Sequence, residues 1–300
     1  SLRLVTPGEA GYPPLLAHTD AAPPILFLRG SPEIMARPAV AIVGARNASA
    51  VGRRMALDIA SQLGRTGIVI ASGLARGIDT AAHRGALDTG TVAVLAGGHG
   101  RVYPPQNEGL AEEICAHGAL LSEMPPDYEP RGRDFPRRNR IVSGMGFGVV
   151  VVEAARRSGS LITARLAGEQ GRDVFAVPGS PLDPRAEGTN ELIRNGASLV
   201  RSAADILEEL GERMAATPLA DPPTDGGFAM PEDGGIDAGD VGDEARRQVA
   251  ELLSTAPVDA DELIRQSGLP AAAVHLVLVE LELAGRLLRH PGGRVSLNVG

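Results

Sequence analysis

The sequence contains no lysine, so all 29 of its cationic side chains are arginine. Every fixed positive charge is therefore a planar guanidinium, a forked donor suited to carboxylate and phosphate. Cysteine is almost absent too. Cys115 stands alone, so no intramolecular disulfide can form, and no CxxC or Cys/His grouping has metal-ligand spacing. No metal site and a reducing, cytoplasmic setting are expected. Apolar runs stop at about seven residues where roughly 18 are needed to span a bilayer, and no charged-then-apolar leader is present. No membrane partner is expected. The catalytic signatures GxxxxGK[ST] and the nucleophile elbow are missing as well. Aromatics number five Phe and three Tyr, so one placed outside a core is an unusual use of a scarce residue.

What is present is enough chain for one large or two ordinary domains, 300 residues. Gly 38 and Pro 23 fall short of the roughly 25–30% typical of low-complexity chains, so a turn-rich globular protein is expected. The chain opens on Ser1 rather than Met, as a shortened chain would. The formal net charge of −8 argues against a nucleic-acid partner only if it is spread evenly. It is not: residues 1–201 hold 22 arginines against 19 acids, and residues 202–300 hold 7 against 18. Residues 211–243 carry eight acids among scattered Pro and Gly with no periodicity, the composition of a flexible linker.

From residue 38 to 210, short Val/Ile/Leu runs alternate with helical segments. Strands are expected at 38–43, 68–71, 91–96, 119–122, 148–153, 173–177 and 197–200, with helices between and a last one at 203–210. This is the pattern of βαβ units, giving an α/β fold with a doubly wound, mostly parallel sheet. Residues 1–37 read as a lead-in, with Ile25 to Leu28 as an added edge strand. Residues 244–300 read helix, helix, helix, then a hairpin turning at Pro291–Gly292–Gly293, a small C-terminal winged-helix domain. Its third helix would be the DNA reader in such folds, yet it carries His275, Glu280 and Glu282 and no arginine.

In a doubly wound sheet, ligands bind beyond the carboxyl ends of the strands. After the first strand comes Gly44-Ala45-Arg46, a turn into a helix where phosphate is the natural guest. The next loop, SGLARGIDTAAH, places Ser72, Gly73 and Arg76 on the same rim. Its Asp79 and His83 share a helix face, as an acid/base pair or half a metal site would, but read better as a helix-start carboxylate and a histidine bonded within the layer. The loop AGGHGRVYPPQN presents Asn107. The densest feature is PRGRDFPRRNRIVSG, with Phe135 among Arg131, Arg133, Arg137, Arg138 and Arg140. Guanidiniums beside a ring on which a base can stack suit single-stranded nucleic acid. Ser160 and Thr163 offer hydroxyls nearby, and Glu153 ends its strand as a lone candidate base.

The strings AIVGAR, SGLARGIDTAAH, GGHGRVYPPQN, FPRRNRIVSG, VVVEAARRSGSLITARLAGEQGRDVFAVPGS and GTNELIRNGASLV closely resemble the DNA-processing protein A family, DprA or Smf, over about residues 12–210. The resemblance implies a non-enzymatic, Rossmann-like domain that binds single-stranded DNA and loads the RecA recombinase in natural transformation, with no cofactor. It implies DNA contacts from Arg46, Arg76, Phe135, Arg137, Arg138 and Arg140, joined by Asn139 of the same motif. It also implies homodimerisation through Leu192, Ile193 and Leu199, with single-strand-binding proteins as further candidate partners. The helical domain many members carry in front is not expected here. A competing class is a nucleoside-monophosphate phosphoribohydrolase using Glu153, whose PGGxGT loop is not found. A third is a transcription regulator acting through the tail.

Overall fold

The computed structural model describes residues 2–216, 243–254, 258–290 and 294–298. Most of the expected linker and the Pro291–Gly292–Gly293 turn lie outside them. Two compact units form, Ser1–Asp225 and Gly226–Gly300.

The larger unit runs β1 (Leu2–Val5), α1 (Pro14–Ala17), β2 (Leu26–Gly30), β3 (Ala39–Val43), α2 (Ala50–Arg65), β4 (Val69–Ser72), α3 (Ile78–Ala86), β5 (Thr91–Leu95), α4 (Glu108–His117) and β6 (Ala119–Ser122). It continues with α5 (Asp134–Gly144), β7 (Gly148–Val151), α6 (Gly159–Glu169), β8 (Asp173–Ala176), α7 (Glu187–Arg194), β9 (Ser198–Leu199) and α8 (Ala203–Ala216). The nine strands form one sheet in the order β1-β2-β6-β5-β4-β3-β7-β8-β9. Strands β3 to β9 are parallel to one another, and β2 is antiparallel to both β1 and β6. The chain winds outward from β3 to β6, then restarts beside β3 with β7, so the switch point lies between β3 and β7. A crevice opens at their carboxyl ends.

Both faces of the sheet are covered, which is why its strands read as unbroken apolar runs. In β3, Ala41 and Val43 face a core shared with Leu16, Ile141 and Ala164, while Val40 and Ile42 face one shared with Ile59, Leu63, Ile78 and Ile206. Helix α2 buries Ala56, Ile59, Ala60 and Leu63, a stripe at helical spacing. Its first turn is capped by Ser49, whose hydroxyl accepts the Gly52 N–H at 2.9 Å. Emptying that stripe by Leu63→Ala costs about 2–5 kcal/mol.

Two differences from the sequence reading concern the ends of this unit. The Ile25–Leu28 segment is strand Leu26–Gly30, and it is interior: Leu2–Val5 forms the outer strand beside it. That outer strand buries one residue in four, too short a pattern to show alternation. The last helix continues past 210 to Ala216, where Arg213 reaches back to Asp173 at 2.5 Å.

The smaller unit comprises α9 (Asp243–Leu252), β10 (Val258–Asp259), α10 (Ala260–Ser267), α11 (Ala271–Leu283), β11 (Leu287–His290) and β12 (Arg294–Leu297). Its antiparallel sheet, ordered β10-β12-β11, closes over Val249, Leu263, Val274, Leu278 and Val295. This is a winged helix. Helix α11 leaves Leu276 and Val279 exposed, and its Glu280 pairs with Arg246 of α9 at 2.8 Å. Among the described residues no helix is long and apolar enough to cross a membrane.

Candidate nucleic-acid interface

The crevice at the switch point is a cleft of about 1020 Å³. Its walls are the turn after β3 (Gly44 to Asn47), the loop after β4 (Gly73, Ala75), the start of α5 (Phe135, Arg138, Asn139) and the start of α6 (Ser158 to Thr163). Two of these turns are locked together. Gly77 has φ +81°, and a Cβ there would stand 2.3 Å from the Ala45 carbonyl oxygen, so only glycine permits the approach. The Ile78 N–H then donates to that same carbonyl at 3.2 Å.

The GLAR loop is held in a strained form. Leu74 is buried with φ 57°, a left-handed conformation uncommon outside glycine. Asn107 Nδ2 donates to the Leu74 carbonyl at 2.8 Å, and Asp79 accepts from the N–H groups of Gly73 and Ala75 at 3.1 and 3.2 Å. The result presents Arg76 to solvent. Asn107 is buried and acts by positioning this loop. Ser72 is fully buried and donates to the Ile42 carbonyl at 2.6 Å, so it serves the sheet rather than a ligand.

The arginines of the FPRRNR segment divide by environment. Arg138 is buried, and its Nη1 donates to the carbonyls of Gly73, at 2.7 Å, and Val94. Burial pulls its guanidinium down to about 10, partly countered by Asp79. Arg140 reaches the Ala21 carbonyl at 2.5 Å and pairs with Glu123, so it ties the lead-in to the segment that follows β6. Arg137 is more exposed and shares Glu123 at 3.0 Å. By contrast Arg46 and Arg76 are exposed and make no ion pair with a described residue. Arg46 instead lies with its guanidinium carbon 5.4 Å from the centroid of the Phe135 ring, and Tyr103 meets that ring edge-on at 5.3 Å.

The helix starts on the rim differ in what they hold. The Ser49 N–H donates to Glu153 Oε2 at 2.9 Å and its hydroxyl to Oε1, so an anion from the protein already occupies the start of α2. The expected phosphate guest of this turn is thus partly replaced by Glu153. At α6, Ser158 accepts the Ser160 N–H at 3.4 Å, and Ser160 Oγ lies 2.7 Å from Ser158 Oγ. Ser160 and Thr163 are buried and line the cleft, and Asn139 Nδ2 donates to the Gly159 carbonyl at 3.4 Å.

Asp79 and His83 do not meet. His83 is fully buried beside Thr91 Oγ1 at 2.7 Å. The Thr91 hydroxyl donates to the Ile70 carbonyl, so His83 Nδ1–H is the donor in that contact. Burial, with Arg138 adding to it, pulls the imidazole down to about 3, and burial pushes the Asp79 carboxyl up. Among the described residues no group of three His, Cys, Asp or Glu could hold a metal ion.

The family model for DNA recombination-mediator protein A matches residues 3–211, and that for the DprA winged helix domain matches residues 231–293. The chain belongs to the DNA recombination-mediator protein A family. Protein Smf of Escherichia coli (strain K12) is 41% identical over 295 residues, covering 95% of this chain and 75% of that protein. DNA processing protein DprA of Bacillus subtilis (strain 168) is 45% identical over 205 residues, 67% of this chain and 69% of that one. The solved structure of DNA processing protein A from Streptococcus pneumoniae is 42% identical, with a TM-score of 0.67 over 70% of this chain and 74% of that one. DNA processing protein A from Helicobacter pylori, whose structure concerns its single-stranded DNA binding mode, is 27% identical with a TM-score of 0.64, covering 71% of this chain and 97% of that one.

On this member of the family the structure adds two cleft residues that the sequence did not single out as a site. Tyr103 is half exposed and completes the aromatic pair. Arg157 is exposed in the turn before α6 and lines the cleft. Tyr103 is 32 positions from Phe135 along the chain, so no local pattern joins them. The expected dimer residues fall on the opposite side of the sheet from β1: Leu199 on the outer strand β9 is 48% exposed, while Leu192 and Ile193 on α7 are half-buried.

Proposed function

We propose that this cleft binds single-stranded DNA, with Arg46 and Arg76 on phosphates and Phe135 stacking a base. The observation that carries the reading is the Arg46–Phe135–Tyr103 cluster at the mouth of a cleft of about 1020 Å³. Unpaired guanidiniums supply phosphate affinity, and an aromatic face accepts any base, the combination a sequence-tolerant single-strand site requires. The exposed Arg157 and the N–H groups at the start of α6 extend the cationic wall. Arg137 is an outer contact that must leave or share Glu123, whereas Arg138 and Arg140 shape the site from behind.

The Helicobacter pylori relative, whose structure concerns its single-stranded DNA binding mode, supports this reading. In the cell the protein would protect incoming DNA during natural transformation and pass it to RecA, working as a cytoplasmic homodimer without catalysis. Two observations favour binding over hydrolysis: both oxygens of Glu153 are engaged by Ser49, and Asp79, the carboxylate in the cleft lining, is held by the N–H groups of Gly73 and Ala75. Anisotropy of labelled oligo-dT tests the cleft. Arg46→Ala should weaken binding and reduce the magnitude of the log–log salt slope by about 0.7. Unchanged affinity and slope in both Arg46→Ala and Phe135→Ala would overturn the reading. RecA filament assembly on protein-coated strands tests loading, and AMP incubated with the protein should release no adenine.

A further inference from the structure

A second groove, of about 720 Å³, lies between α2 and α3. Arg46 and Asn47 line both it and the cleft, so the two are continuous at that corner. Arg53 and Arg54 from α2, Arg76 from the GLAR loop and Arg84 from α3 supply its other charges. Arg54 is engaged by Asp58 at 2.7 Å. Arg46, Arg53, Arg76 and Arg84 are exposed and have no ion pair with a described residue. Elsewhere in this unit some arginines are neutralised, as in Arg29–Glu112, Arg185–Asp183 and Arg201–Asp205, and others, such as Arg65, Arg101 and Arg133, are exposed singly without an ion pair to a described residue. What marks this groove is that four guanidiniums without an ion pair to a described residue line it together.

The groove holds no aromatic residue. Its uncharged lining is Asn47, Leu57, Gly77, Thr80, Ala81 and Asn107; Thr80 Oγ1 donates to the Ala75 carbonyl, and Asn107 Nδ2 to the Leu74 carbonyl and Thr80 Oγ1. It therefore offers charge without a stacking platform. We infer that this groove is a second phosphate track, which carries the strand onward from the cleft through its backbone alone and leaves its bases unread. The inference rests on the single-strand reading of the cleft. It assigns Arg53 and Arg84 a binding role that neither sequence motif nor aromatic neighbour suggests.

The test separates the track from the cleft by strand length. Oligo-dT of about 5 nucleotides fits within the cleft, and one of about 16 reaches beyond it, the two spanning usual single-strand site sizes. Arg53→Ala combined with Arg84→Ala in the full chain should leave the short strand's affinity unchanged. For the long strand the salt slope should shrink by about 1.4, so affinity falls about sevenfold less between 50 and 200 mM salt. Arg65→Ala, a charge lost from the far end of α2, is the control and should change neither. Long-strand binding that keeps its slope in the double variant overturns the track, as does an equal change with Arg65→Ala or with the short strand. Arg46→Ala, run alongside, reports on the cleft separately: its loss with the short strand while the double variant is silent leaves the cleft reading standing without the track.

Discussion

Arg138 Nη1 donates to the Gly73 carbonyl at 2.7 Å and so pins α5 to the loop that follows β4. The fit is close: a Cβ at Gly73 would lie 2.5 Å from Arg138 Nη2. Removing the guanidinium takes a donor from the Gly73 and Val94 carbonyls and leaves the buried Asp79 without its neighbouring charge. Arg138→Ala should therefore cost about 3–5 kcal/mol in urea unfolding. Arg46→Ala should stay within about 0.5 kcal/mol of the parent while losing DNA affinity. Two arginines of the same rim would then separate into one that holds the fold and one that binds.

Phe135 should contribute through its ring. Replacing it with alanine removes about 1–3 kcal/mol of stacking, a loss of about 5- to 150-fold in oligo-dT affinity. Phe135→Tyr keeps the face and should bind within about twofold of the parent, well inside 1 kcal/mol. Anisotropy titrations of both variants at one fixed salt concentration check this, and equal losses would show that the ring's packing against Tyr103 matters more than its face.

His83 gives the fold a pH dependence of defined sign. Its folded value is drawn from 6.5 down to about 3 by burial, with Arg138 adding to it. Between those values the unfolded chain takes up a proton that the native chain refuses. The stability is complete above pH 6.5 and lost as pH falls toward 3, at about 1.4 kcal/mol per pH unit. Urea midpoints from pH 7 to 4 should fall less steeply in His83→Gln. Asp79, raised by burial, works in the opposite sense. It is present in both proteins and cancels in the comparison.

The outer strand β9 offers a test of self-association. Leu199 on it is 48% exposed, and Ile193 of α7 is half-buried. Leu199→Arg should convert a dimer to a monomer by light scattering. Loss of the second cleft should also weaken binding to long strands, where two linked sites act together, more than to short ones. An unchanged mass in solution would remove this surface from consideration.

Much of the fold was legible because its causes are local. The alternation of β-branched runs with 3.6-residue stripes marked β3 to β9 and their helices, since strands buried on both faces need no polar alternation. The short β1 escaped because one buried residue in four leaves no period to read. The rim was legible too, from glycines and arginines at strand ends, and so was the placing of Phe135 among cations.

Which arginines are available was a different matter. Periodicity and turn chemistry are properties of neighbours along the chain, so the parallel strands β3 to β9, the winged helix and the loops that meet at the switch point could be read from the residues alone. That Arg138 and Arg140 are spoken for, while Arg46 and Arg76 have no ion pair with a described residue, follows from the tertiary fold alone. Their partners, Val94, Gly73 and Ala21, lie 44, 65 and 119 positions away. A guanidinium's freedom depends on which carbonyls and carboxylates the fold brings within about 3 Å of it, and one-dimensional spacing carries no record of that distance.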